Sequence, residues 1–209
     1  EIEADAIIVA PGSRPRGLTA AQGVPVWGSD EALSPSRLPS SLVVIGGGVV
    51  GLEFAQLYHR LGTTVTVVEA LPRILPGEDP EITDILSGLL KQEGIDIITG
   101  AGVEGLRQDG EEVAVGLTSS ELRAGAVLIA TGRQAVTDGL GLEGVGGIVE
   151  KGCIVVDEAM RTTASGILAA GDATGSPMLA HAAMAEGEVA AHFATGHEAA
   201  MDYSAVPRC

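Results

Sequence analysis

Residues 42–55 read LVVIGGGVVGLEFA: a short apolar run, three glycines, then a second apolar periodicity. Leu42 to Ile45 predict a buried strand. Val49 to Leu61 have helical spacing, with Val50, Phe54, Leu57 and Leu61 on one face, and Gly62 stops the helix. Gly46-Gly47-Gly48-Val49-Val50-Gly51 between them fits G-x-G-x-x-G. In such a unit Gly46 permits the tight turn, Gly48 lets backbone approach a pyrophosphate, and Gly51 lets helix and strand pack closely. Val49 and Val50 open the helix, whose unpaired N–H groups and positive dipole end suit phosphate. The alternative is a glycine-rich turn without a ligand. Thr64 to Val68 then predict a β-branched strand ending in Glu69. A carboxylate there would accept from the adenosine ribose hydroxyls and repel a 2′-phosphate, favouring NAD over NADP. Arg73 lies near enough in sequence to soften that choice, and a solvent-facing acid at a strand end is the plainer reading.

Outward from this unit, strands and helices keep alternating. Asp79-Pro80-Glu81 combines an N-cap, a proline at the first helical position and acid in the first turn. The helix it opens should run to about Glu93 and stop at Gly94. A strand at 95–98 follows, then two short strands at 103–107 and 112–117 around Asp109-Gly110, and a buried strand at 126–130. On the N-terminal side, DAIIVAPGSRP (residues 5–15) reads as a buried strand, and residues 13–41 as a loop rich in Gly, Pro and Ser. DAIIVAPGSRP and AVLIATGRQAV (residues 126–136) form a faint repeat, an apolar strand closed by glycine and followed by a basic residue. Beyond residue 150 come strands at 154–156 and in GILAAGDATG, then a helix from about Pro177, capped by Ser176 and ended by Gly196. The expected fold is α/β, a Rossmann-like parallel sheet with a β-meander excursion, plus remnants of a second related domain. The divisions read as 1–35, 36–150 and 151–209.

Composition agrees. Of 209 residues 45% are hydrophobic and only 2% aromatic, so the core is built from Val, Ile, Leu and Ala. That palette suits strands buried on both faces. A net charge of −16 repels nucleic acid and anionic membranes, so neither is expected as a partner. No apolar stretch reaches membrane-spanning length, and no signal peptide is visible. Cys153 and Cys209 form no C-x-x-C or metal-ligand pattern, so no metal is expected and a cytoplasmic location is the default. Cys153 reads as a small buried strand residue, Cys209 as a structural position.

Six landmarks, VAPGSRP, LVVIGGGVVGLEFA, VTVVE, LIATGR, VVDEAMRT and GILAAGDATG, occur in one order that resembles the pyridine nucleotide-disulfide oxidoreductases. These are flavoprotein reductases with two dinucleotide domains. Within that family LAHAAMAEGEVAAHFATG, with His181, Glu186 and Gly187, most resembles the lipoamide dehydrogenase branch. The resemblance implies an FAD cofactor beside NAD. Residues 36–150 would be the NAD domain, and 1–35 with 151–209 pieces of the FAD domain. Asp172 would hydrogen-bond the FAD ribityl chain. Met178, Leu179, Ala180 and His181 would lie at a helix end facing the flavin ring. Gly132 would pass close to the nicotinamide. Glu53 would lie near nicotinamide and flavin, or is a plain exposed helical acid; His181 would pack near the flavin, or is an ordinary helix residue. Pro11, Ala135 and Val136 depart from the family pattern.

The resemblance further implies a homodimeric enzyme that oxidises dihydrolipoamide, carried on a lipoyl-bearing protein, through a disulfide and FAD to NAD. Mercuric reductase, NADH oxidase or a non-catalytic NAD-binding module remain alternatives. The 209 residues contain neither the family's C-x-x-x-x-C pair nor its FAD-side G-x-G-x-x-G. They are therefore expected to hold FAD weakly and to be inactive alone, and no catalytic residue is assigned among them.

Overall fold

The computed structural model describes residues 3–21, 23–175 and 177–207. In chain order its elements are β1 (Ile7–Val9), β2 (Ser13–Pro15), α1 (Ser29–Leu33), β3 (Ser41–Ile45), α2 (Val49–Arg60), β4 (Thr64–Val68), α3 (Pro80–Glu93), β5 (Asp96–Ile98), β6 (Val103–Asp109), β7 (Glu112–Leu117), β8 (Glu121–Ala124), β9 (Ala126–Ile129), β10 (Arg133–Ala135), β11 (Val149–Glu150), β12 (Cys153–Ile154), β13 (Ile167–Ala169) and α4 (Ala180–Ala194). They fall into two compact units, residues 15–132 and residues 1–14 with 133–209. The divisions thus lie after residues 14 and 132, where the sequence reading put them after 35 and 150.

In the 15–132 unit, β5, β4, β3 and β9 form a parallel sheet in that order. Successive residues of a strand face opposite sides, and both sides are covered. Val44, Val65, Val67 and Leu128 pack with Leu52, Ala55 and Tyr58 of α2 and Leu90 of α3. Val43, Ile45, Val68, Val127 and Ile129 pack with Val113, Val115 and Leu117 of β7. The second layer is the antiparallel meander β6-β7-β8. The continuous apolar runs follow from this double burial. The short β8, the helix α1 and the 3-10 turn at Thr19–Ala21 were not expected.

One expected face is wrong. Of the four residues assigned inward on α2, only Phe54 is buried; Val50 is 40% exposed, Leu57 46% and Leu61 52%. The buried line is Gly51, Leu52, Phe54, Ala55 and Tyr58. The helix is apolar over more than one face, and the face that carries Gly51, where a Cβ would stand 3.3 Å from Ala130 Cβ, is the one that packs inward. Three of the chain's five aromatics gather here, Trp27 and Phe54 flanking Tyr58 at ring-centroid distances of 5.8 and 6.4 Å. The Tyr58 hydroxyl donates to the Ala32 carbonyl at 2.6 Å, and burial raises its pKa above the ordinary value.

The other unit contains the parallel pair β1–β13 and the antiparallel pair β11–β12. Cys153, in β12, is half-buried, whereas the sequence reading buried it. β2, whose first two residues belong here, pairs with β10. α4 buries Ala182, Glu186 and Ala190, one residue per turn. It starts at Ala180, three residues later than expected. Leu179 is extended at φ −125°, and its N–H is taken by the Pro177 carbonyl at 2.6 Å. That tight i to i+2 turn bends the chain before helix can form. Ser176 and Cys209 lie outside the described residues.

Candidate functional site

Each glycine of the strand-to-helix turn has its own physical requirement. Gly46 has φ +116°, and a Cβ on it would stand 2.3 Å from the Ala130 carbonyl oxygen. Its N–H donates to the Val68 carbonyl at 2.8 Å, continuing the β3–β4 ladder into the turn. A Cβ on Gly51 would stand 2.0 Å from the Gly46 carbonyl oxygen, so α2 packs on the turn only because Gly51 has no side chain. Gly48 differs: nothing lies within 4 Å of its Cβ position. It is the extended N-cap of α2, at φ −79° and ψ 179°, and no side chain caps this end. Val49 and Val50 follow with their side chains outward, 50% and 40% exposed. The result is an open cradle of backbone N–H groups at a helix N-terminus, which fits the pyrophosphate of a dinucleotide.

Glu69 stands at the end of β4, next to β3. Its carboxylate accepts from the Gly47 N–H at 2.7 Å and from the Leu71 N–H at 2.8 Å. An ionised carboxylate offers roughly four acceptor sites, so capacity remains for ribose hydroxyls. Gly47, unlike Gly48, is crowded, because a Cβ there would meet Ile74 Cγ2 at 3.0 Å and Glu69 Cβ at 3.1 Å. Neither Gly47 nor Ile74 stood among the residues singled out from the sequence. The motif treats the second glycine as free, and only the return of a later loop makes it special.

Glu53 is exposed on α2. Gly132 follows β9 with φ +107° and open space at its Cβ position, a backbone state that only glycine adopts freely. Its carbonyl accepts from the Arg16 N–H at 2.9 Å. These four parts of the expected nicotinamide-dinucleotide site, Gly46 to Gly51 with Val49 and Val50 inside it, Glu53, Glu69 and Gly132, all belong to the 15–132 unit.

The remaining candidates lie in the other unit. Asp172 sits in the 3-10 turn Gly171–Thr174 after β13 and accepts from the Ser13 hydroxyl. Arg133 Nε donates to that same hydroxyl oxygen at 2.7 Å, so the three side chains form a relay that orients the half-buried carboxylate. Met178 and Leu179 immediately precede the first turn of α4, and Ala180 and His181 form its start. His181 is exposed, and its Nε2 lies 3.0 Å from the Pro207 carbonyl. The structure adds a residue here. Glu186 is 1% exposed, accepting from the Gly171 N–H at 2.6 Å and the Tyr203 hydroxyl at 2.8 Å. It holds the residue before Asp172 from the second turn of the facing helix. The Glu-Gly pair in the sequence signalled the position but not this contact.

Among the described residues no cluster of three His, Cys, Asp or Glu could hold a metal, and no helix is long and apolar enough to cross a membrane.

A family model described as pyridine nucleotide-disulphide oxidoreductase matches residues 1–187. The dihydrolipoyl dehydrogenase of Thermus scotoductus is 44% identical over 96% of the chain, and that of Bacillus subtilis 40% identical over 97%; the chain covers 45% of each. Among solved structures, LpdA from Mycobacterium tuberculosis superposes with a TM-score of 0.88 at 34% identity, covering 95% of this chain and 44% of its own. The HOCl-induced flavoprotein disulfide reductase RclA from Escherichia coli gives 0.87 at 32% identity, covering 92% and 45%. The chain thus spans about half the length of the relatives it matches.

Proposed function

This chain belongs to the pyridine nucleotide-disulphide oxidoreductase family, and on that footing we propose that its 15–132 unit binds NAD(H) within a dihydrolipoyl dehydrogenase. The observation that carries the reading is the open backbone cradle at Gly48 with a carboxylate, Glu69, at the end of the adjacent strand. The helix N-terminus takes the pyrophosphate, and Gly48 leaves room for it. Glu69 takes the adenosine ribose and disfavours a 2′-phosphate, since two like charges in contact cost on the order of a few kcal/mol when partly desolvated. Gly132 and Glu53 line the nicotinamide end. Asp172, steered by Ser13 and Arg133, accepts from the ribityl hydroxyls of FAD. The start of α4, residues 178–181, lies at the flavin ring, where a helix N-terminus favours negative charge on a reduced flavin.

In the complete protein a flavin would carry electrons from a dithiol through a disulfide to NAD. Dihydrolipoyl groups on a partner protein are the substrate, the enzyme is a homodimer, and it works in the cytoplasm. The relatives named dihydrolipoyl dehydrogenase support this assignment over mercuric reductase or NADH oxidase. A titration of NADH and NADPH into the chain tests the nucleotide reading. NADH should bind more tightly, and Glu69→Arg should narrow or reverse the preference. Equal affinity of the unaltered chain for both contradicts it.

A further inference from the structure

The acid that meets the ribose and the loop that meets the pyrophosphate are joined by more than proximity. Glu69 Oε2 receives the Gly47 N–H at 2.7 Å, and Oε1 receives the Leu71 N–H at 2.8 Å. The Gly47 carbonyl accepts from the Leu75 N–H at 2.9 Å. Both polar groups of the Gly47 residue are thereby tied to the segment that follows β4. Ile74, 1% exposed, closes the third side, its Cγ2 standing 3.0 Å from a Cβ built on Gly47. The segment is itself anchored. Gly100 donates to the Leu71 carbonyl at 2.8 Å, Ala101 to that of Glu69 at 3.1 Å and Glu78 to that of Leu75 at 2.9 Å. Leu75 has φ +46°, a left-handed conformation that costs a leucine free energy and persists only where surroundings impose it. Against this pinned Gly47, the next residue, Gly48, faces open space.

We propose that residues 69–75 form a clamp that presets the phosphate loop, and that Glu69 is a positioning residue for the pyrophosphate cradle as well as the ribose acceptor. The ligand side of this inference rests on the NAD(H) reading above. The carboxylate is the stronger half of the clamp, because a hydrogen bond to an ionised acceptor is roughly twice as strong as a neutral one. A free Gly47 peptide could rotate and turn the loop amides away from the phosphates. Holding it before ligand arrives removes that ordering cost from binding. It follows that exchanging Glu69 to alter nucleotide preference also weakens the cradle for either nucleotide.

Two measurements on the chain separate this from a ribose-only role. The first needs no ligand: amide hydrogen exchange at Gly47, with Val44 in the centre of β3 as internal reference. In Glu69→Ala the Gly47 amide should exchange about tenfold faster or more, with Val44 unchanged. Glu69→Gln keeps the side-chain volume and one acceptor oxygen, so it should fall between the two and guards against an unfolded alanine variant. Unchanged exchange at Gly47 in both variants overturns the clamp. The second measurement titrates NADH and an NADH analogue whose adenosine ribose carries no hydroxyls. If Glu69 also sets the loop, Glu69→Ala weakens the analogue as well, by about tenfold. If the analogue binds both chains equally, the positioning role is wrong while the ribose role stands. Failure of the unaltered chain to bind NADH at all removes the NAD reading, and the exchange data still decide the clamp.

Discussion

Gly51 and Gly48 look alike in the motif and should respond oppositely to substitution. A methyl on Gly51 is driven to 2.0 Å from a backbone oxygen that belongs to a sheet-anchored turn. Neither side can yield, so Gly51→Ala should destabilise the unit by about 3 kcal/mol or more, read as a lowered thermal midpoint with or without nucleotide. A side chain on Gly48 meets nothing within 4 Å, so Gly48→Val should fold normally. A Gly51→Ala midpoint equal to that of the unaltered chain would show that the turn packs differently. The distinction between these two glycines was legible in the spacing. The constraint on Gly47 was not, because it comes from Glu69, Ile74 and Leu75, which reach it only after β4 has run alongside β3.

At the scale of elements, α4 and the turn after β13 hang together through Glu186. Replacing it with alanine removes the carboxylate that accepts from the Gly171 N–H and from the Tyr203 hydroxyl, so Glu186→Ala should cost about 2–4 kcal/mol and Tyr203→Phe about 1 kcal/mol, measured by chemical unfolding. Near-equal losses would mean that the tyrosine contact is the one that matters. Asp157 offers a pH test in the same unit. Burial works to raise its pKa, but the hydrogen bonds from Arg161, side chain and backbone, prevail and lower it from 3.8, helped by the charge of Arg161 and the Ala159 N–H. The side chain is 42% exposed, so solvent screening leaves a modest effect. A carboxylate with a depressed folded pKa stabilises fully above its unfolded value and loses that as pH falls through the folded one. Asp157→Asn should therefore be less stable than the unaltered chain at neutral pH, with the gap closing below about pH 3.8. A gap that persists in acid would assign the effect to shape instead of charge. Elements with strong local signals were readable in advance: Asp79 accepts the Glu81 N–H at 2.8 Å, and α3 ends at Gly94 with φ +105°. β8 and α1 were not, since ELRA and SDEAL are short and half charged or polar, and tertiary packing decides them. The inward face of α2 misled because its apolar residues exceed the one face that the sheet can cover.

For the whole molecule, the division into the 15–132 unit, proposed to bind nucleotide, and the remainder, proposed to face the flavin, sets what residues 1–209 should do by themselves. Cys153 and Cys209 are the only cysteines in the sequence and are not spaced as a redox pair. With FAD, NAD and dihydrolipoamide supplied, the chain should produce no NADH above a flavin-only blank; turnover would require another electron path. What the 15–132 unit should retain is nucleotide binding, because its sheet, its glycine turn and Glu69 are all internal to it. The most direct test is a calorimetric titration of NADH into the chain and into Gly48→Val, with thermal midpoints confirming that both are folded. One NADH should bind per unaltered chain, with a severe loss of affinity in the variant. A folded Gly48→Val chain that binds NADH as tightly as the unaltered one would contradict it.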